Sequence, residues 1–274
     1  MLKDRTIAIL GTGTMGEALI RGLLEAGAAK AERIVATARH EERLADLATR
    51  FHVRTTLDNA AAVRGAEVVV IAVKPKALDE LLGQVKGAIT PRHTVVSIVA
   101  GGASAYIEER LAPGVPVVRS MPNTPCQVRA GITAVCKGTH ADDTHLATAH
   151  SLFGAIGACV TVDEPYMDAV TGLSASGPAF IFMVIESLAE GGVKMGLPRK
   201  LATQLAAQAV YGAGKLVLDT KEHPALLKDM VTTPAGCTMD GILQLEEGGL
   251  RVTLIKAVVK ATERAGELVI KPRG

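Results

Sequence analysis

Glycines near the start of the chain have the spacing of a turn that binds a dinucleotide. The segment IAILGTGTMGEALIRGLL places Gly11, Gly13 and Gly16 in a G-x-G-x-x-G pattern between an apolar run and a helical run. Such glycines allow a sharp bend and a close approach of the backbone to a pyrophosphate, which then lies at the positive end of the helix dipole. An ordinary glycine-rich turn is the alternative, but the position directly after the first predicted strand favours cofactor binding.

The second predicted strand lacks the acidic residue that binds the ribose of NAD. That Asp or Glu would stand about twenty residues after the turn and accept from the 2′-hydroxyl. The chain instead reads IVATARHEER, with Thr37, Ala38 and Arg39 at this place. A hydroxyl and a planar guanidinium suit the oxygens of a 2′-phosphate, although an exposed surface arginine would also explain Arg39. We therefore predict NADP(H) as the preferred cofactor, with NAD(H) as the alternative.

Loops at the ends of three other predicted strands have unusual sequences. They are IAVKPKAL (Ile71–Leu78), SIVAGGAS (Ser97–Ser104) and MPNTP (Met121–Pro125). In an open α/β sheet, ligands bind at the carboxyl ends of the strands. Gly101 would let the backbone come close to a ligand, and the Asn123 amide can both donate and accept hydrogen bonds. Each segment could be an ordinary turn, but together they predict the wall of a nicotinamide pocket.

A loop late in the chain is rich in small and hydroxyl-bearing residues. The segment VTTPAGCTMDG (Val231–Gly241) interrupts a region that otherwise reads as helical. It predicts a loop leading into a helix that begins near Thr238, where backbone N–H groups lack partners within the helix. Such groups could bind a small carboxylate brought close to another ligand. A plain helix cap at Thr238 is the simpler alternative.

The elements that must position these residues alternate in the first part of the chain. Short β-branched runs are followed by stretches with helical spacing, which indicates a parallel sheet covered by helices on both faces. The predicted strands are Thr6–Leu10, Ile34–Thr37, Val68–Val73, Val95–Val99, Val115–Arg119, Gly131–Cys136 and Ala158–Val162. The last two flank a predicted helix at Asp142–Phe153 and could extend the sheet in mixed direction.

The second part of the chain, after Glu164, has helical spacing throughout. Its predicted helices are AFIFMVIESLAEGG, LPRKLATQLAAQAVYGAGKLVLDT, HPALLKDMV, MDGILQLEEGG and LRVTLIKAVVKATERAGEL. We predict an α/β protein in which a dinucleotide-binding domain, residues 1–163, precedes an all-helical domain, residues 164–274. The family resemblance described below implies that the first is Rossmann-type and that the second is a substrate-binding and dimerisation domain. The helices are rich in small side chains and would form a thin core, so we expect them to pack against the first domain and against a partner subunit.

Composition argues against several other classes of protein. The chain has 30 basic and 28 acidic residues without a basic block, and 3% of its residues are aromatic, which argues against nucleic-acid binding. Its uninterrupted apolar runs fall short of the ~18 residues of a membrane span, and its N-terminus leads directly into a strand, leaving no room for a cleavable signal. The cysteines form no C-x-x-C pair, and His140, His145 and His150 are spaced too widely on a helix to share a metal. We predict a cytoplasmic enzyme without a metal.

Three further segments resemble the pyrroline-5-carboxylate reductase family. They are DAVTGLSASGPAF, EGGVKMGLPRKLA and VTTPAGCTMDGILQLEEGG, and the likeness extends from the glycine-rich turn through AVKP and NTP to the final helices. The resemblance implies reduction of 1-pyrroline-5-carboxylate to L-proline by hydride transfer from a nicotinamide cofactor, the last step of proline biosynthesis. It also implies a homodimer whose C-terminal helices interlock. Many members assemble further into rings of dimers, and this step is left open here.

The resemblance also implies which residues touch the cofactor. Asn59 stands at the same distance before AVKP as an asparagine on the adenosine side of the family's site. With Asn123 included, the predicted cofactor residues are Gly11, Thr12, Gly13, Thr14, Met15, Gly16, Thr37, Arg39, Asn59, Ala72, Val73, Lys74, Pro75, Val99, Ala100, Gly101 and Asn123.

The substrate would lie against the late loop. By resemblance, its carboxylate meets the backbone of Ala235, Gly236, Cys237 and Thr238, and the Thr238 hydroxyl reaches the ring nitrogen. Glu222 in KEHP would line the pocket, and could come from the partner subunit. The family usually has GGAT where this chain has AGCT, and we expect Cys237 to be buried and inert because no basic partner is apparent.

Imine reduction asks little of acidic or basic side chains, because the protonated imine is already electrophilic. Alignment of two reactants can lower a barrier by roughly 7–11 kcal/mol, so we interpret Thr238 as an orienting group. The alternatives are a β-hydroxyacid dehydrogenase and a non-catalytic NADP(H)-binding redox sensor. The first would need a Lys and an Asn one helical turn apart, whereas Lys215 is followed by Asp219. The intact late loop argues against the second.

Overall fold

A computed structural model describes residues 2–268 and contains one eight-stranded sheet. The strands are β1 (Ile7–Leu10), β2 (Ile34–Thr37), β3 (Arg54–Thr56), β4 (Val68–Ile71), β5 (Thr94–Ser97), β6 (Val117–Met121), β7 (Gly131–Lys137) and β8 (Gly157–Thr161). Their order in the sheet is β3-β2-β1-β4-β5-β6-β7-β8. Strands β1 to β6 are all parallel to one another. Strand β7 is antiparallel to β6, and β8 is parallel to β7. The predicted α/β class and the mixed direction at this edge are both confirmed.

Helices cover both faces of this sheet. They are α1 (Thr14–Glu25), α2 (Glu41–Phe51), α3 (Asn59–Arg64), α4 (Leu78–Val85), α5 (Ser104–Glu108) and α6 (Asp143–Phe153). Alternate residues of β1 belong to different cores: Ile7 and Ile9 pack in one with α1, α2 and α6, whereas Ala8 and Leu10 pack in the other with α3, α4 and α5. Burial on both faces explains why these strands read as continuous apolar runs.

Successive strands are added on one side of β1 up to β3 and on the other side from β4 onwards. Strand β1 pairs with β2 on one side and with β4 on the other, so the connections leaving these strands run to opposite sides of the sheet. In doubly wound sheets the crevice at this point, outside the carboxyl ends of the strands, is where ligands bind. The glycine-rich turn joins β1 to α1 at this crevice.

The remainder of the described chain is helical. It comprises α7 (Met167–Val170), a π-helical turn (Thr171–Ala175), α8 (Gly177–Lys194), α9 (Arg199–Thr220), α10 (Pro224–Val231), α11 (Cys237–Glu247) and α12 (Leu250–Glu267). His223 caps α10 by accepting from the Ala225 N–H, and Pro224 occupies the first helical position. The five helices predicted for this region are therefore confirmed.

The chain divides into two compact units. The first extends to Ser176 and takes in the end of α12 from Lys260, and the second spans Gly177–Val259. Within the first unit, a Cβ added at Gly172 would lie 2.2 Å from the Thr262 hydroxyl, so the end of α12 packs directly on the π-helical turn. The predicted domain boundary after residue 163 divides the chain by function and not by compactness, and it stays a prediction.

The second unit leaves much apolar surface exposed. Its small buried cluster consists of alanines, namely Ala189, Ala202 and Ala206. Large side chains on its helices face outward, including Phe182 at 63%, Met183 at 67% and Leu218 at 77% exposure. Length and composition alone would let Glu164–Lys194 cross a membrane, which is weak evidence for a span.

Candidate functional site

The glycine-rich turn has the backbone geometry that its sequence predicts. Gly11 has φ +81°, and a Cβ at this position would lie 2.3 Å from Val73 Cγ1, so no larger residue fits without displacement. Gly16 packs against Ile9 and Thr12. Gly13 is the residue before α1, no side chain caps the helix there, and a Cβ at Gly13 would meet no described atom within 4 Å. The first N–H groups of α1 therefore face open space that a pyrophosphate can fill.

A chain of hydrogen bonds holds this turn against the end of β2. The Gly11 N–H donates to the Thr37 hydroxyl at 3.0 Å, and that hydroxyl donates to Asn59 Oδ1 at 2.6 Å. The Asn59 amide then donates to Gln84 Oε1 at 2.7 Å. In addition, the Thr12 N–H donates to the Thr37 carbonyl at 2.7 Å. The amide orientation of Asn59 is thus fixed from both sides before any ligand binds.

Five of the predicted cofactor residues line one cavity of about 310 Å³. They are Gly11, Thr37, Arg39, Asn59 and Val73, and the lining is completed by Ala38, Leu57 and the helical residues Ala77, Glu80, Leu81 and Gln84. The Arg39 side chain is exposed, and it has no carboxylate partner within residues 2–268. A cation that is not paired inside the protein can meet a phosphate at this mouth of the cavity.

A second depression lies on the other side of the turn and is lined by Gly13, Thr14 and charged residues of α1 and α2. Glu17 there accepts from Arg43 at 2.6 Å and from Arg50 at 2.6 Å, and also pairs with Arg21. Partial burial acts to raise the pKa of Glu17, but the hydrogen bonds from Arg50 and Arg43 outweigh it and lower that pKa to about 2. The cluster ties both ends of α2 to α1.

The loops after β4 and β5 reach the same edge of the sheet. Strands β4 and β5 end level with each other, since Ile71 pairs with Ser97. After β4, the Ala72 N–H bonds the Leu10 carbonyl at 2.9 Å, and Lys74 leads into a tight turn that Pro75 begins. After β5, Val99 is buried and Ala100 is half-buried.

Glycines let the loop after β5 bend back onto α4. Gly101 has φ +72°, and Gly102 lies close to Leu78 and Val99. A left-handed residue at this point is easiest for glycine. The segments AVKP and VAGG therefore lie side by side at the carboxyl end of the sheet. That they form the wall of a nicotinamide pocket stays a prediction.

Asn123, just beyond β6, is committed to the protein itself. Its Oδ1 accepts from the Ile132 N–H at 2.9 Å, and its Nδ2 donates to the Ser174 carbonyl at 3.2 Å. Ser174 belongs to the π-helical turn, a structure that is frequent at functional sites. Asn123 thus fixes this turn beside the strand end, and its predicted contact with the cofactor stays a prediction.

The late loop is described within the second unit. Ala235 has φ +58°, Gly236 precedes α11, and no side chain caps this helix. The Gly236 N–H bonds the Thr233 carbonyl at 3.0 Å, and the Met239 N–H bonds the Gly236 carbonyl at 3.1 Å. Within the described chain, the N–H groups of Ala235, Cys237 and Thr238 have no acceptor. Three free N–H donors within four successive residues can bind a carboxylate.

Two of the predicted substrate residues, Cys237 and Glu222, are exposed. Cys237 was expected to be buried, and this is wrong for the described chain: the side chain is exposed, because α11 buries none of its residues in this unit. Glu222 is also exposed and stands before α10, whereas Ala235 follows α10. An eight-residue helix is roughly 12 Å long by its rise per residue, so one small ligand does not span both ends of α10.

Sequence reasoning missed several residues that shape the site. Gln84 fixes Asn59, and Glu164 binds both the backbone and the hydroxyl of Ser104 beside the VAGG loop. Arg119 was assigned to a strand without a role, yet it is buried and pairs with Glu164. A charged residue inside an otherwise apolar strand was the available signal. Throughout residues 2–268, no group of three His, Cys, Asp or Glu side chains could hold a metal.

Comparison with known proteins agrees with this arrangement. A family model described as "NADP oxidoreductase coenzyme F420-dependent" matches residues 6–101, and one described as "Pyrroline-5-carboxylate reductase dimerisation" matches residues 164–268. A pyrroline-5-carboxylate reductase of Methanosarcina acetivorans is 44% identical over 97% of this chain and 99% of its own length. The human pyrroline-5-carboxylate reductase 2 is 41% identical over 96% of this chain and 83% of its own length.

Solved structures are similar over the whole chain. A pyrroline-5-carboxylate reductase from Coxiella burnetii superposes with a TM-score of 0.91 at 34% identity, covering 97% of this chain and 99% of that one. The pyrroline carboxylate reductase of Plasmodium falciparum, solved with NADP bound, gives a TM-score of 0.88 at 28% identity, covering 98% and 100%. Fold and crevice together define an NADP-dependent oxidoreductase. The chain belongs to the pyrroline-5-carboxylate reductase family, as the sequence predicted.

Proposed function

We propose that this chain reduces 1-pyrroline-5-carboxylate to L-proline with NADPH, using the crevice beside β1 for the cofactor and the late loop for the substrate. The single observation that carries the loop assignment is the set of free N–H groups at Ala235, Cys237 and Thr238. NADPH supplies a hydride when bound. This chain's own groups bind the carboxylate and orient the imine.

The Thr238 hydroxyl is suited to hold the ring nitrogen. Thr238 is half-buried in the first turn of α11, next to the proposed carboxylate grip. A hydroxyl can accept from a protonated ring nitrogen before the reaction and donate to the amine afterwards. Because the protonated imine needs no further activation, Thr238 orients the ring and is not an essential acid.

Self-association completes the site in this proposal. The exposed apolar side chains of α8 to α12 need cover, and the family model that matches residues 164–268 is described by dimerisation. Glu222 and Ala235 stand at opposite ends of α10. We assign Glu222 to the substrate pocket of the partner subunit, and residues 1–163 and 164–274 to cofactor binding and to substrate binding with dimerisation, respectively. The same cover makes a cytoplasmic homodimer the fitting form, with a higher oligomer left open.

The decisive experiment is NADPH oxidation by the purified protein with 1-pyrroline-5-carboxylate, beside a panel of β-hydroxy acids with NADP⁺. We expect imine-dependent loss of NADPH and formation of proline. Turnover of the hydroxy acids alone would favour a β-hydroxyacid dehydrogenase. NADPH binding without consumption would favour a redox sensor. Either result would reject the proposal.

A further inference from the structure

Glu164 holds the beginning of α5 from outside that helix. The Ser104 N–H donates to Glu164 Oε1 at 2.8 Å, and the Ser104 hydroxyl donates to Oε2 of the same carboxylate. The residue before the helix is Ala103, whose side chain cannot cap it. A carboxylate from the segment after β8 therefore does the work that a local cap residue does elsewhere.

Arg119 fixes that carboxylate in turn. The Arg119 side chain is 7% exposed in the middle of β6, and it lies 3.2 Å from Glu164 Oε1 and 3.5 Å from Asp168 Oδ1. The residue opposite Arg119 in β7 is Cys136. Burial, chiefly, and the nearby Glu164 raise the pKa of that thiol to about 12, so it stays neutral. The acidic partners that face Arg119 among the described residues are Glu164 and Asp168.

The loop between β5 and α5 is anchored at its start, where the Ile98 N–H bonds the Ile71 carbonyl at 3.0 Å and Val99 is buried, but its other hydrogen bonds are weak. The Val99 N–H bonds Ser97 Oγ at 3.3 Å, and the Gly102 N–H bonds the Val99 carbonyl at 3.2 Å, both at the long end of hydrogen-bond distances. Gly101 adds backbone freedom at the bend. The position of Val99–Gly101, predicted to touch the nicotinamide side of the cofactor, therefore depends on how firmly Ser104 is held.

We propose that Glu164, bridging Arg119 and Ser104, is a positioning residue that sets the nicotinamide-side loop Val99–Gly102. This inference rests on the proposed function where it concerns hydride transfer from the nicotinamide. The part that concerns the position of the loop depends on cofactor binding alone. Misplacement of a reactant by about 1 Å can cost about 10²-fold in rate. A looser loop would weaken the nicotinamide contacts and leave the adenosine contacts near Arg39 unchanged.

The test compares three variants of the full chain. Glu164→Gln keeps the side-chain size but replaces one acceptor oxygen with a donor, and Ser104→Ala removes the hydroxyl. Asp168→Asn is the matched control, because Asp168 also pairs with Arg119 but does not bond Ser104. The readouts are amide hydrogen exchange of the peptide covering Ile98–Ser104 without cofactor, the Kd for NADPH, and the Kd for 2′,5′-ADP, which lacks the nicotinamide half.

We expect faster exchange in Ile98–Ser104 and about a tenfold higher Kd for NADPH in Glu164→Gln and in Ser104→Ala. The Kd for 2′,5′-ADP should stay at the wild-type value in every variant, and Asp168→Asn should bind NADPH like wild type. Equal effects of Glu164→Gln and Asp168→Asn, or parallel losses of both ligands, would overturn the inference. If Glu164→Gln does not fold, Ser104→Ala decides. Failure of wild type to consume NADPH would reject only the proposed function.

Discussion

The Thr37 hydroxyl gives its only proton to another group of the protein. It accepts from the Gly11 N–H and donates its proton to Asn59, and Thr37 is 1% exposed. A hydroxyl has a single proton to give, so Thr37 would support the cofactor through the turn and through Asn59. We therefore expect recognition of a 2′-phosphate to depend on Arg39, whose side chain is exposed at the cavity.

Arg39→Ala should therefore change cofactor preference. A hydrogen bond to a charged group contributes about 1.5–3 kcal/mol, which corresponds to roughly a 10- to 100-fold increase in the KM for NADPH. The KM for NADH should change less than about twofold. Arg251→Ala, which makes the same change of net charge on an exposed helix, is the control and should have no effect. An unchanged ratio of the two KM values would remove the phosphate assignment.

Thr238→Ala should lower kcat/KM for the imine by about 10- to 100-fold, because one orienting hydrogen bond of about 1.5–3 kcal/mol to a charged nitrogen is lost. The Kd for NADPH should be unchanged. Thr238→Ser keeps the hydroxyl and should retain most activity. Steady-state kinetics with varied imine measure the effect. Complete loss of turnover in Thr238→Ala would show that the hydroxyl does more than orient the ring.

At the scale of elements, one carboxylate links helices α1 and α2. Glu17 on α1 accepts from Arg43 and Arg50 on α2, and its pKa is lowered to about 2 from its usual 4.5. A carboxyl whose pKa is depressed on folding stabilises the folded state fully above the unfolded pKa, and this stabilisation is lost as pH falls through the folded value.

The free energy of unfolding should accordingly fall between about pH 4.5 and pH 2 in part because Glu17 takes up a proton on unfolding. Glu17→Gln lacks this proton uptake, so its unfolding free energy should depend less steeply on pH in that window. Urea unfolding at several pH values measures the slopes. Glu25→Gln, an exposed carboxyl on the same helix, is the control. Equal slopes in wild type and Glu17→Gln would contradict the assignment.

At the scale of elements, the sequence predicted those with strong periodicity. Runs such as Val68–Ile71 are apolar at every position, because a parallel strand is buried on both faces. Strand β3 and helix α3 were not predicted, since three and six residues are too few to establish a period. Helix α5 is likewise short, since it covers only Ser104–Glu108.

The site was predictable where a local motif carries the chemistry, as in the glycine-rich turn. The bridge from Arg119 to Glu164 was not, because its members lie 45 residues apart and meet only in the folded chain. Likewise, the π-helical turn at Thr171–Ala175 has no period of its own in the sequence.

At the scale of the whole molecule, many large apolar side chains of the second unit are exposed, and contiguous exposed apolar patches commonly mark interaction sites. Phe182 and Met183 on α8 are 63% and 67% exposed, and both belong to the unit that the dimerisation model matches. Burial of these side chains between two copies would remove the exposure without any membrane. The same burial would also cover apolar side chains of the segment Glu164–Lys194.

Phe182→Asp should therefore disturb assembly. Placing a carboxylate in an apolar interface leaves a buried charge without a partner, which costs several kcal/mol. Light scattering after gel filtration should show wild type as a multiple of the 28.5 kDa chain and the variant as smaller or aggregated species. Lys200→Asp, at an exposed polar position of α9, is the control and should assemble normally. Wild-type mass in Phe182→Asp would refute the interface.

The last two turns of α12 have a consequence for how the protein is made. Thr262 covers Gly172, and Ala265 is buried in the same unit as the sheet, although the whole second unit, Gly177–Val259, lies between them and Ser176 in the sequence. During translation, a growing chain can assemble its sheet early, but Gly172 stays uncovered until Thr262 has also been made and has folded back onto it. A nucleotide-binding fragment ending at Ser176 would leave Gly172 uncovered permanently.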